Sequence, residues 1–163
     1  MGPGDESGDV LSRMVDMTGG DEAFLASFEE CTLPYAQWTH RSHVKVAFLY
    51  LSRLPFEGAL ERVRAGIKKY NAAQGGLIVE GPTTGYNETT TRATLHVIAA
   101  VMGAYEKTHP TPDAESFCEM HPQLMSKHVL RLFYSPERRM YPRAKGEFVE
   151  PDLAPLPRLL RDG

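Results

Sequence analysis

Disulfide chemistry, a strong charge of one sign and long apolar runs are all missing from this chain. Two cysteines in 163 residues, Cys31 and Cys118, exclude a disulfide framework and fit free thiols in a reducing compartment. A bilayer span needs roughly 18 consecutive apolar residues, and the most apolar stretch, Ala93 to Tyr105, is interrupted by His96. The opening MGPGDESGDV lacks the basic and apolar regions of a secretory signal. Glu6 stands where a myristoylation pattern requires Ser or Thr. The reading is therefore cytoplasmic, with no membrane partner. With 18 basic against 21 acidic residues and a net charge of −3, the chain has no basic excess to neutralise phosphates, which argues against nucleic acid as a partner. Phosphate loops of the G-x-x-x-x-G-K type, nucleophile elbows and C-x-x-C pairs are absent as well.

What the chain does have is enough length and apolar content, 42% hydrophobic, to form one core without metal or disulfide support. Its charge is unevenly spread. Residues 1–30 carry eight acids against Arg13, a local net of −7 that leaves +4 for the remainder. Residues 1–9 read as a disordered acidic lead and 10–163 as a single domain. Near the other end, Arg131, Arg138, Arg139, Arg143 and Lys145 lie close together, either as a solvated rim or as partners for a carboxylate or phosphate.

Helical periodicity dominates. Acids at Asp21 and Glu22 precede Phe24, Leu25 and Phe28, the pattern of a short amphipathic helix ending before Pro34. Thr39 is placed to cap a second helix from His40 to Leu54, which Pro55 ends. Ala59, Leu60, Val63, Ile67 and Tyr70 mark a third. Residues 74–85, rich in glycine, form a loop with one β-like run at Leu77-Ile78-Val79. A long helix is predicted from about Asn87 to Lys107. Thr111-Pro112-Asp113 resembles a cap with proline opening the next helix. Helical spacing resumes from Leu124 to Tyr134, and Ser135-Pro136 caps a last short helix. The proline-rich segment 149–157 reads as an extended tail over the bundle. The expected fold class is all-α: a single-domain bundle of four to five main helices.

Two segments carry candidate chemistry. In Trp38-Thr39-His40-Arg41-Ser42-His43 the two histidines lie about 60° apart on a helix, both beside the stripe that faces the core. Such a pair serves either structure or function. In Gly85-Tyr86-Asn87-Glu88, Glu88 lies within about 40° of the apolar face of the helix it opens. An inward carboxylate requires a cation, a metal or several hydrogen bonds; Arg92, one turn on, is the nearest structural partner, and capping is a second bland role. His40, His43 and Glu88 are the first candidates for both catalysis and metal ligation, since two His and a carboxylate match an open facial site for iron, and bundles build such sites from inward side chains. The spacing itself is not that of the di-iron bundles. Cys31, at a helix end, is a weaker nucleophile candidate. His109 and His121 read as surface residues, and His128 as an internal one.

The motifs W-T-H-x-x-H at 38–43, G-Y-x-E-T at 85–89, and Y-S-x-E-R with V-E-P-D-L over 134–153 resemble a group of small uncharacterised bacterial helical proteins. The resemblance covers most of the chain after Leu33 and implies no particular activity, cofactor or substrate. In those sequences His often occupies the place of Asn87, so a ligand role at that position would be lost here.

The leading expectation is a small enzyme acting on an anionic small molecule, with a divalent metal (Fe, Mn or Zn) held by His40, His43 and Glu88. Tyr86, Asn87, Arg92, Tyr134 and Arg138 are the expected substrate-binding residues. A metal-free acid/base lyase or isomerase using the same trio is the alternative, and a non-catalytic helical module with a structural His/Glu network is a third reading. A homodimer is compatible with all three.

Overall fold

The computed structural model of the chain describes residues 20–159. The acidic lead 1–9 and the start of the domain at residue 10 lie outside the described residues. Within them the architecture is all-α, with no strand. Helix α1 covers residues 20–29, and its apolar side buries Leu25 and Phe28. α2 (His40–Leu51) opens on the expected cap: Thr39 has extended backbone and its side chain accepts from the Ser42 amide, while the Ser42 hydroxyl accepts from the Thr39 amide. The helix ends three residues earlier than the apolar spacing suggests, and the Leu54 amide closes on the Tyr50 carbonyl in the turn before Pro55.

α3 (Phe56–Ala72) buries Ala59, Leu60, Val63, Ile67 and Tyr70, as its periodicity predicts. The β-like run at 77–79 pairs with nothing, and Leu77 and Val79 are each 66% exposed. α4 (Glu88–Tyr105) is capped by Asn87, whose Oδ1 accepts from the Thr90 amide at 2.8 Å. α5 (Ala114–Met120) is capped by Asp113, so Pro112 lies before the helix rather than in its first turn.

The predicted helix through 124–134 resolves instead into two 3-10 turns, Pro122–Met125 and Val129–Leu132. Ser126 separates them in extended backbone, and its hydroxyl accepts from the His128 amide, a local bond that competes with helical pairing. This break leaves His128 exposed rather than internal. His121, expected at the surface, is 3% exposed and packs between Tyr105 and Phe117. α6 (Pro136–Arg139) starts from the Ser135 cap, and α7 (Pro142–Gly146) follows. The tail contains neither helix nor strand over 149–159. It is tied down where Tyr134 donates to the Val149 carbonyl at 2.7 Å, Leu153 N–H to Phe133 O at 2.9 Å, and His96 Nε2–H to the Pro157 carbonyl at 2.7 Å.

α2 packs on α3, α4 and α5, and α4 packs on α2, α3 and α7. The first turns of α2 and α4, with the two sequence segments singled out above, thus lie on the two most connected helices of the core. No helix among the described residues is long and apolar enough to cross a membrane.

Candidate functional site

His40 and His43 do come together, as walls of a cavity of about 320 Å³ between α2, α3, α4 and the 3-10 turn Val129–Leu132. Its floor is apolar, formed by Val46, Ala47, Val63, Ile67, Leu95 and Leu130. Polar groups are few and gathered on the rest of the wall: Thr90, Thr91 and Thr94 of α4, Lys127 and Arg139. That combination, an apolar chamber with a few convergent polar groups, is the usual form of a small-molecule site.

The backbone sets the state of both imidazoles. His43 Nδ1 lies 2.7 Å from the Thr39 carbonyl; a carbonyl only accepts, so the proton is on Nδ1 and Nε2 keeps its lone pair. His40 is arranged the other way round, with Nε2–H donating to the Leu124 carbonyl at 2.8 Å, which pins the 3-10 turn Pro122–Met125 to the start of α2. Burial holds the His43 pKa below the ordinary value, with His40 adding to the effect and the Thr39 bond opposing it. His43 is therefore neutral at pH 7 with one basic nitrogen available. Its ring lies under Trp38, which is packed in turn against Phe28 and Tyr70, so the imidazole is braced on one face.

Glu88 is buried as predicted, at 9% exposure, but its partner is not Arg92. Arg64, from α3, donates through Nε at 2.7 Å and through Nη2, and Tyr86 donates its hydroxyl to Oε2 at 2.6 Å. Burial alone would raise the Glu88 carboxyl, but these bonds outweigh it and hold the group below its usual range. Glu88 does not line the histidine cavity, and among the described residues no three His, Cys, Asp or Glu side chains form a metal-ligand group. Arg92 pairs with Glu57 at 3.3 Å and lies over the rings of Phe56 and Phe148.

The loop before α4 is built around the same region. Glu80 accepts from the Tyr86 amide at 3.0 Å, and Lys145 of α7 reaches Glu80, the Thr84 carbonyl and the Tyr86 carbonyl. Gly85 turns the chain between them at φ +82°, where a methyl group would overlap the Glu80 carboxylate.

A second, open cleft of about 780 Å³ lies beside this loop, and Thr90 and Arg139 line it and the histidine cavity alike. Of the expected substrate-binding residues, Asn87 and Tyr134 line this outer cleft. Tyr134 presents its ring there, because its hydroxyl is committed to Val149, and burial raises its pKa to about 12. Tyr86 is taken up by Glu88, and Arg138 donates Nε–H to the Glu150 carbonyl of the tail at 2.8 Å. Neither Tyr86 nor Arg138 lines the cavity or the cleft. Of the two thiols, buried Cys118 is pushed up to about 11 by burial and is unreactive at neutral pH.

Sequence reasoning missed Thr90, Thr91, Thr94 and Trp38 as site residues, and placed Arg139 only within a basic cluster that also reads as a solvated rim. A signal for the threonines was present: Thr94 lies one turn from both Thr90 and Thr91, at i+4 and i+3, beside the apolar residues of the helix. Compared with protein-family models, curated proteins and solved structures, the chain matches none.

Proposed function

We propose that the protein is a small enzyme whose ligand, an anionic molecule with an apolar body, enters the histidine cavity past Arg139, and that His43 Nε2 acts there as a general base. One observation carries the reading: a neutral imidazole of fixed tautomer and a guanidinium without an ion-pair partner among the described residues line the same largely apolar chamber. A base of this kind works best when its lone pair is available at the operating pH, and Arg139 supplies the charge that orients an anion. Thr90 and Thr94 add hydroxyls on the facing helix. Glu88, locked to Arg64 and Tyr86, is a positioning group that fixes the start of α4, and the two free thiols fit an intracellular setting.

Metal-free acid/base chemistry is favoured over the divalent-metal reading, since the carboxylate expected to complete a His-His-Glu set is engaged elsewhere. Trp38 lines the cavity and is the chain's single tryptophan, so its fluorescence reports occupancy. A panel of aromatic and branched aliphatic acids should contain binders that alter Trp38 emission, with affinity reduced at least tenfold in Arg139→Gln. In D2O, a bound acid with an exchangeable C–H next to its carbonyl should exchange that hydrogen, and His43→Gln should abolish the exchange while leaving binding in place. If no acid of the panel perturbs Trp38, the reading fails; a stoichiometric metal in untagged protein, lost in His43→Ala, would install the metal reading instead.

A further inference from the structure

The charges that line the outer cleft bear on which anion would fit it. Arg131 and Arg139 both line it. Elsewhere, Arg41 and Lys45 meet Glu115, Arg64 meets Glu61 and Glu88, Arg143 meets Glu147 and Lys145 meets Glu80. Arg131 and Arg139 make no ion pair among the described residues, and no Asp or Glu lines the cleft. Arg139 is half-buried, and its charged state is disfavoured by that burial and then by Arg131 itself. Two guanidinium groups thus face one cleft, one of them partly desolvated, with no carboxylate among the lining residues to balance them. Left without a ligand, such an arrangement opposes folding. Neutral donors complete the wall: the hydroxyls of Thr84 and Thr90, and the Asn87 amide, whose Oδ1 is used by the helix cap and whose Nδ2 hydrogens are not.

We propose that this cleft is a subsite for a phosphoryl dianion, and that the molecule bound by the protein is a phosphomonoester with its phosphate on Arg131 and Arg139 and its apolar body in the histidine cavity. The inference rests on the cavity reading above and deepens it. A carboxylate balances only one guanidinium, whereas a phosphomonoester carries about −1.5 to −2 at neutral pH and offers three acceptor oxygens. Its oxygens also suit the planar fork of arginine, which binds phosphate bidentately. Thr90 and Arg139 belong to both spaces, so a single ligand passing between them places its charge at the cleft and its organic part over the apolar floor.

The test compares phenyl phosphate, benzoate and inorganic phosphate at constant ionic strength, on the full chain, by Trp38 fluorescence and by NMR of the arginine Nε–H and imidazole signals. Phenyl phosphate should bind at least tenfold more tightly than benzoate, and inorganic phosphate should compete with it. Arg131→Gln should remove that advantage while leaving benzoate affinity within twofold, and Arg139→Gln should weaken both. Neither variant removes a folded-state ion pair, so each should unfold at or above the temperature of the parent. Benzoate binding as tightly as phenyl phosphate, or no effect of Arg131→Gln, overturns the dianion subsite and leaves the cavity reading intact. Phenyl phosphate that shifts the arginine signals without touching Trp38 or His43 overturns the cavity reading and leaves the anion site standing. A single-stranded oligonucleotide that outcompetes phenyl phosphate with the same arginine dependence overturns the proposal in favour of a polyanion track.

Discussion

Trp38 lies across His43, with ring centroids 3.8 Å apart and planes tilted by 30°. The contact ties the protonation of one side chain to the emission of the other, because an imidazolium quenches excited indole more strongly than a neutral imidazole. His43 is held below the ordinary imidazole value near 6.5, first by burial and then by His40. The sign follows: the unfolded chain takes up this proton more readily than the folded one, so the His43 contribution to stability is complete above about pH 6.5 and is lost as the pH falls toward the folded value. Trp38 emission should therefore drop in a single step centred below pH 6.5, and that step should vanish in His43→Gln. The melting temperature of His43→Gln should also fall less than that of the parent between pH 7 and pH 5. A step at or above pH 6.5, or one that survives the substitution, would contradict the half-buried, neutral imidazole.

Arg64 and Glu88 join α3 to the first turn of α4, and the pair is asymmetric. Removing the cation in Arg64→Leu leaves a buried carboxylate with only Tyr86 as donor, a loss of about 2–4 kcal/mol for a pair of this burial. Glu88→Gln leaves no charge unpaired on the buried side and should cost about 1–2 kcal/mol. Chemical denaturation of both variants measures the order directly. If Glu88 were instead a catalytic acid or base, Glu88→Gln would leave stability unchanged and eliminate the isotope exchange that His43 is proposed to catalyse.

The caps and the buried faces were legible in the sequence, and the partners across the core were not. Thr39 and Ser135 each cap the helix predicted for them, since a cap depends on three or four neighbouring residues, whereas Asn87, read as the first residue of the long helix, is its cap instead. The inward placement of His40, His43 and Glu88 follows from periodicity in the same way. Periodicity reports which side of a helix is buried and says nothing of which helix lies opposite. Sequence proximity therefore pairs Glu88 with Arg92, while its true partner, Arg64, is on α3. The substitution of Arg139 for Arg138 has a related cause. α6 has four residues, and each step along it rotates a side chain by about 100°; so short a helix contains no apolar stripe from which its phase can be read. One arginine was bound to turn toward the tail and the other toward the cavity, and only the packing of α6 decides which.

Gly66 and Gly58 sit on the same helix in opposite circumstances. A methyl group at Gly66 would come within 2.6 Å of the Phe28 ring, whereas at Gly58 the nearest atom is Leu54 Cβ at 3.6 Å, an ordinary contact. Helix propensity favours alanine at either position by up to about 1 kcal/mol. Overpacking at Gly66 costs about 1–3 kcal/mol, since Phe28 is fully buried. Gly58→Ala should raise the urea midpoint and Gly66→Ala should lower it. Phe28 stacks on Trp38 at 5.0 Å, so Gly66→Ala should also shift Trp38 emission and weaken acid binding in the cavity, neither of which Gly58→Ala should do. Two stabilising results would show that Phe28 has room to move.

Asp113 is 4% exposed and its Oδ2 is the one buried side-chain oxygen or nitrogen without a hydrogen-bond partner among the described residues. Asp21 lies next to it, accepting from the Ala114 amide at 3.2 Å. Burial raises the Asp21 carboxyl above its usual value and Asp113 raises it further, against the pull of the Ala114 amide, Lys45 and Arg53. A carboxyl raised in the folded state holds its proton more firmly there than in the unfolded chain. Its ionisation therefore opposes folding, and the penalty grows as the pH rises above about 4. Asn at position 21 keeps the acceptor for Ala114 N–H, removes the charge, and offers an N–H to the orphaned oxygen. Asp21→Asn should raise stability at pH 7 by about 0.5–1 kcal/mol, in the range of other repaired surface charges, and the gain should shrink toward zero near pH 4. A loss at pH 7 that fades toward pH 4 would mean that the negative charge of Asp21 at the start of α5 outweighs its repulsion from Asp113.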